Sequence, residues 1–291
     1  MESIGDVGVD DIKSDVAYVK EKERHAQIVG PLTRRTNDRI NFKLLREIDV
    51  KVGNPSNIIT GCTISYNGKV LFSEYNESIY TDRVTLNDSN GNYIRTVQPL
   101  DPFEGPYYDI TSIDTNTIAV STGTFIRIVN TDTHDILHKI ENNYDCYGIT
   151  HCDGNLYYCS SYEGIRRKTK TNQVLLPTEV SAFSYISCDG NRLFYTSSTD
   201  TVSCCDMNGK PIWRLKDTSL LRSPRVVVVD NHGFVFVAGE KSGNIVVISP
   251  DENSSEEVSQ ISNPIAMCYG KMENKILVCH TDNKASWFQI E

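Results

Sequence analysis

The chain has 291 residues, 39% of them hydrophobic and 23% charged, with a net charge of −9 at neutral pH. That is the make-up of a folded domain rather than of a disordered segment, and the length suits one large all-β domain or two smaller ones. The acidic balance disfavours a generic binder of phosphate backbones. No run reaches the roughly 18 apolar residues of a membrane-spanning helix, and the polar start MESIGDVGVDDIK lacks a signal-peptide core, so a cytoplasmic protein is expected.

Residues 1–41 read as a tail, partly helical or disordered. Asp10 or Asp11 could cap a short helix there, with Ile12, Val16 and Val19 forming a thin apolar stripe. VGPLTRRTND (29–38) reads as a linker, broken at Gly30-Pro31. From residue 42 to 291 the chain writes the same unit six times, in steps of about 40 residues, as blades of a β-propeller do.

Each unit opens with an apolar strand, turns tightly into a second one and continues with two more polar strands. The first turns are YNGK (66–69), DTNT (114–117), CDGN (152–155), CDGN (188–191), NHGF (231–234) and MENK (272–275). Gly68, Asn116, Gly154, Gly190, Gly233 and Asn274 stand where such a hairpin demands positive φ. The second strands, such as KVLFSE, LYYCSS, RLFYTS and KILVCH, are rich in the β-branched and aromatic residues that strands prefer. Further turns are expected at Asn90-Gly91 and Asn208-Gly209.

The sixth unit runs out after three strands, ending with ASWFQIE at Glu291. A surplus strand, FKLLREIDVKV (42–52), precedes the first full unit. The spacing therefore predicts a six-bladed all-β propeller in which the N-terminal strand completes the last blade, removing the unpaired edges an open sheet would expose.

The nine cysteines are odd in number and lack C-x₂-C spacing. A secreted disulfide framework and a zinc site are both disfavoured, and buried free thiols are expected. The repeated CDGN belongs to the turn geometry. Four of the six units have no Cys at the head of the turn, so the turn itself requires none.

The blade residues ITGCTISYNGKVLFS (59–73), DGNLYYC (153–159), RLFYTSSTDTVSCCDMNGKPIW (192–213), DTSLLRSPRVVVVDNHGFVFVAG (217–239) and NIVVISPD (244–251) carry a family resemblance. From about His25 to Glu291 the chain resembles the C-terminal NHL-like propeller of the tripartite-motif proteins expanded in bivalve molluscs. The resemblance implies a recognition module that selects a protein target for ubiquitination. In that family the ligase activity belongs to an N-terminal RING finger followed by B-boxes and a coiled coil. No Cys/His zinc pattern precedes residue 43 here, so the resemblance assigns no ligase activity to these residues. Related NHL propellers bind protein partners or single-stranded RNA, the latter through a strongly basic face.

Propellers bind ligands on the face made by the loops leading into the inner strands and the loops joining strands two and three. Here those loops include LDPFEGPYYD (100–109), NNYDCY (142–147), SSYEG (160–164), SLLRSPR (219–225) and GEKSGN (239–244). They carry Phe103, Tyr107, Tyr108, Tyr144, Tyr162, Arg222, Arg225 and Lys241. Aromatic and Arg side chains are the usual anchors of protein interfaces, and single-stranded RNA uses the same types by stacking and phosphate contact. A protein partner is expected and RNA is the alternative, set back by the net charge.

A third reading is a metal-dependent propeller hydrolase. Its candidates, Asp109 and Asp145, fall short of the six to eight oxygens that Ca²⁺ takes. His151, beside a turn, reads as a turn neighbour rather than a base. No G-x-S-x-G, P-loop or G-x-G-x-x-G occurs. No enzymatic activity, cofactor, catalytic residue or metal ligand is expected.

Overall fold

The computed structural model describes residues 40–54, 56–76, 82–97, 105–197, 199–251 and 254–291. The tail expected over residues 1–41 lies almost wholly outside them. Among the described residues there is no helix, and 24 strands form six four-stranded sheets. Blade one holds β2 (Ile58–Ile64), β3 (Val70–Tyr75), β4 (Arg83–Asn87) and β5 (Tyr93–Val97). Blade two holds β6 (Tyr107–Ser112), β7 (Thr117–Thr122), β8 (Phe125–Asn130) and β9 (Ile136–Glu141). Blade three holds β10 (Cys146–Cys152), β11 (Asn155–Ser160), β12 (Gly164–Lys168) and β13 (Gln173–Leu175). Blade four holds β14 (Ile186–Cys188), β15 (Arg192–Ser197), β16 (Thr201–Asp206) and β17 (Pro211–Leu215). Blade five holds β18 (Pro224–Val229), β19 (Val235–Gly239), β20 (Asn244–Ile248) and β21 (Ser255–Gln260).

Blade six is composite: β22 (Pro264–Gly270), β23 (Lys275–His280) and β24 (Lys284–Ile290) from the end of the chain, then β1 (Phe42–Asp49) from its beginning. The register runs antiparallel from Phe42 opposite Ile290 to Asp49 opposite Lys284. Asn41 and Glu291 extend the ladder by exchanging backbone hydrogen bonds of 3.2 and 3.0 Å. Phe42 anchors the strand by stacking on Phe288, at 4.3 Å between centroids, and on Phe236 of blade five, at 5.8 Å. Each such aromatic pair adds about 0.5–1.5 kcal/mol beyond burial.

The core is divided among the six junctions between blades. Phe72 and Ile59 of blade one meet Leu277 and Trp287 of blade six. Leu71 and Val84 meet Ile118 and Val120 of blade two. Tyr157 of blade three meets Leu193 and Tyr195 of blade four. All nine cysteines are free and buried in these junctions, as small hydrophobes.

The expected turns form, with one exception. Gly68, Gly154, Gly190, Gly233 and Asn274 have φ between +53° and +96°. Asn116 does not adopt positive φ. Its turn is closed instead by the Asp114 carboxylate, which accepts the Asn116 amide at 2.9 Å, and by the Ile113 amide donating to Thr117 O at 2.8 Å. Gly91 and Gly209 do turn with φ +86°. Asp88 and Asp206 brace those turns, each with one oxygen accepting two backbone amides. The Asn92 side-chain amide, together with the backbone bonds, holds the Asp88 carboxyl below the usual range, and the backbone bonds do so for Asp206.

Because β1 is supplied to blade six from the far end of the chain, deleting residues 42–49 should leave β24 as an open edge and expose Phe288. The expected outcome is a much lower midpoint of thermal unfolding, with aggregation. An unchanged midpoint would contradict the closure.

Candidate functional site: the upper mouth of the ring

The inner strands share a device that shapes this mouth. In five of the six, the register with the second strand skips near the upper end, leaving Thr60, Tyr108, Tyr147 with Gly148, Arg225 and Ile265 out of the ladder. Such bulges bend a strand and re-aim a side chain. In blade four the ladder begins only at Ile186. Above it, Tyr185 bonds to Thr196 in both directions at 3.0 Å, and Phe183 turns out with φ +61°.

These displaced residues meet from blade to blade. The Tyr108 ring of blade two lies 4.5 Å from the Tyr147 ring of blade three, which lies 4.8 Å from Phe183 of blade four. Tyr108 and Phe183 stand edge to face at 6.3 Å. Burial, and then the nearby Tyr147 and Asp145, push the Tyr108 hydroxyl well above the ordinary phenol range. The rings touch because the backbones do. Gly148 N donates to Ser184 O at 2.9 Å, and a Cβ on Gly148 would fall 2.4 Å from Tyr185 Cα.

A second aromatic pair lies on blade three. Tyr144 and Tyr162 stand edge to face at 6.4 Å, and Tyr162 is 82% exposed at φ +61°. Phe183 is 55% exposed. Left-handed backbone costs a residue with a side chain about 1–2 kcal/mol, so both rings are held outward against local preference. The Tyr162 turn is fixed by Arg166, whose guanidinium donates twice to Glu163 at 2.8 Å, and by Ser160 donating to the same carboxylate at 2.8 Å. Arg166 thereby holds the Glu163 carboxyl below its ordinary value.

The structure sorts the eight residues expected from the sequence. Phe103 lies outside the described residues. Tyr107 is corrected: it is 1% exposed and packs into the junction of blades one and two with Leu71, Val84 and Ile118. The bulge explains this, because it keeps Tyr107 in the ladder and ejects Tyr108. Tyr144 and Tyr162 face outward, and Tyr108 is half-buried. Arg222 and Lys241 are exposed together on blade five, where the Lys241 amide donates to Arg222 O at 3.3 Å. Arg225 is tied down instead. It pairs with Glu240 at 3.0 Å. Tyr147 and Phe183 escaped the sequence reading, although Tyr108 and Tyr147 precede Asp109-Ile110-Thr111 and Gly148-Ile149-Thr150 in the same way.

Asp109 sits below the aromatic cluster, between the inner strands of blades one and three. Its two carboxyl oxygens accept the Ile110 and Ile149 amides at 2.9 Å each, and the backbone of Gly61 presses close. Burial outweighs those bonds and pushes the carboxyl up to about 7. Burial likewise raises Asp82 to about 6, opposed by backbone bonds from Asn76 and Tyr107 and by the buried Arg127. Among the described residues, no group of three or more His, Cys, Asp or Glu could hold a metal ion. His280 and Ser286 lie 2.8 Å apart, but the serine is shut inside blade six. Among the same residues, no helix is long and apolar enough to cross a membrane.

No protein-family model and no curated protein matches the chain. Solved structures do match in fold. A protein of unknown function from Bacteroides thetaiotaomicron superposes with a TM-score of 0.66 at 14% identity, over 87% of this chain and 76% of that one. A streptogramin B lyase superposes with a TM-score of 0.62 at 16% identity, over 86% of this chain and 98% of the lyase. At such identities the likeness shows the propeller fold.

Asp109 and an unfolded aspartate differ in proton affinity, which sets a pH dependence. The fold keeps a proton that the unfolded chain releases near pH 3.9, so the Asp109 contribution to stability falls as pH rises from about 4 through 7. In urea titrations at pH 5, 6, 7 and 8, the protein should lose stability relative to Asp109→Asn as pH rises. A pH-independent difference between the two would contradict the assignment.

Proposed function

We propose that the chain is a non-catalytic recognition module that docks a protein partner on the aromatic surface of blades two to four. The observation that carries this reading is a run of rings from three blades, with Tyr162 and Phe183 held outward at positive φ. Strained backbone retained at a surface is characteristic of sites kept for contact rather than stability, and Tyr and Phe are enriched in interface cores. Arg222 and Lys241 add exposed basic side chains on blade five. The resemblance to tripartite-motif propellers supports a setting in which the module selects a target for ubiquitination by a RING-bearing chain, in the cytoplasm. Single-stranded RNA would want a basic face, and the acidic chain with Arg225 paired to Glu240 speaks for protein instead.

The test compares partner capture from native cells by the parent protein and by Tyr144→Ser, Tyr162→Asn, Phe183→Asn combined. Asn tolerates left-handed backbone, so the unfolding midpoint should hold. Loss of the rings should weaken capture by at least about 2 kcal/mol, roughly thirtyfold. Tyr66→Ser with Met272→Ser, in first-to-second-strand turns at the other end of the ring, should leave capture intact. Capture that survives the triple change overturns the reading. A salt-dependent gel shift with pooled RNA oligomers, abolished by the same triple change, would replace protein with RNA.

A further inference from the structure

The closing strand carries one irregularity, and a cavity lies beside it. Between Leu44 and Arg46 the register with β24 skips, so Leu45 leaves the ladder and Arg46 stands opposite Trp287. Bulges of this kind re-aim side chains and recur next to functional sites. Here Leu45 and Arg46 line a cavity of about 300 Å³, together with Trp287 and Lys275 of blade six and with Ser89 and Asn90 in the β4–β5 turn of blade one. That volume lies at the lower end of small-molecule sites.

The frame is held from three sides. Arg46 reaches from β1 across to blade one, where its guanidinium donates to Asn90 Oδ1 and to Ser89 O at 3.0 Å each. The same guanidinium sits 6.0 Å from the centre of the Trp287 ring. Asp88 pins the turn by accepting the Asn90 amide at 2.8 Å. Gly91 lets the turn press on β1, since a Cβ there would collide with Ile48. Arg46 and the turn are thus in place before any ligand arrives, which lowers the cost of binding.

The charges select the ligand. Lys275 pairs at 2.6 Å with Glu273, which also lines the cavity. Among the described residues, Arg46 hydrogen-bonds only neutral acceptors, and the Asp88 oxygens are taken by Asn90 and Asn92. Two cations and one carboxylate leave the lining with a surplus of one positive charge. Donors are in surplus as well, since a guanidinium carries five N–H groups and an ammonium three. Trp287 is 5% exposed, and its indole N–H has no partner among the described residues. Leu45, 44% exposed, adds apolar surface. We propose that this cavity binds a small organic monocarboxylate, its carboxylate on Arg46 and its apolar body against Leu45 and Trp287. A phosphate would bring a second negative charge beside Glu273, for which the lining has no cation to spare. The ligand touches β1, blade six and blade one together, so its binding stabilises the closed ring.

Sodium benzoate is the probe, added to the full chain, with sodium chloride at equal ionic strength as the reference. The midpoint of thermal unfolding should climb with the logarithm of benzoate concentration up to about 10 mM, and saturation-transfer NMR should place the benzoate ring against the protein. Benzyl alcohol, the same ring without the charge, should bind at least about tenfold more weakly. Leu45→Glu puts a second carboxylate in the cavity at an exposed position and leaves the Arg46 bonds alone. It should abolish the benzoate response in a protein that stays folded, and Arg46→Gln should abolish it too. A benzoate response no larger than that of chloride overturns the proposal. So does an equal response to benzyl alcohol, a stronger response to inorganic phosphate, or a benzoate response that survives Leu45→Glu.

Discussion

The antiparallel ladder between β1 and β24 joins the two ends of the propeller, and every other feature hangs on it. Six blades splay from an axis, and their inner strands stay in contact only if the ring cannot open. Phe42 stacking on Phe288 and Phe236 ties the strand to two blades at once. The exposed side of β1 is tolerated as an edge because it is charged and irregular. Lys43, Arg46 and Glu47 lie along it, and its register shifts between Leu44 and Arg46. The core is a set of six junctions rather than one centre, so each blade is held by its two neighbours.

Within the closed ring, the bulges bring side chains of neighbouring blades together at the upper mouth. A regular inner strand would bury one side chain and expose the next on a fixed rhythm. One extra residue near the upper end breaks that rhythm and sends Tyr108, Tyr147 and Arg225 out of the ladder. Gly148 then lets blades three and four approach until Tyr147 and Phe183 meet. The same device leaves Asp109 among three inner strands, buried enough to hold its proton near neutrality. The Tyr108–Tyr147 contact and the perturbed carboxyl thus share one geometric origin.

The repeat was legible because it rests on residues with few alternatives. Gly and Asn mark turns that need positive φ, and five of the six turns obey. The closing strand was legible as arithmetic, one strand missing at one end and one in excess at the other. The bulges were not legible, since a skipped residue leaves the apolar pattern almost unchanged. Tyr107 and Tyr108 read alike, but in the fold Tyr107 packs into the blade junction while Tyr108 leaves the ladder. Phe183 precedes the ladder, which starts at Ile186, and nothing in its local sequence marks its outward turn.

Hydrogen exchange followed by mass spectrometry on the intact chain tests the closure most directly. The amides of β1 that point toward β24 should exchange together with those of β24 and β23, as one cooperative unit released only by global unfolding. Exchange of the 42–49 amides at the rate of a free peptide, with β23 and β24 still protected, would contradict the closed ring on which the rest of the account stands.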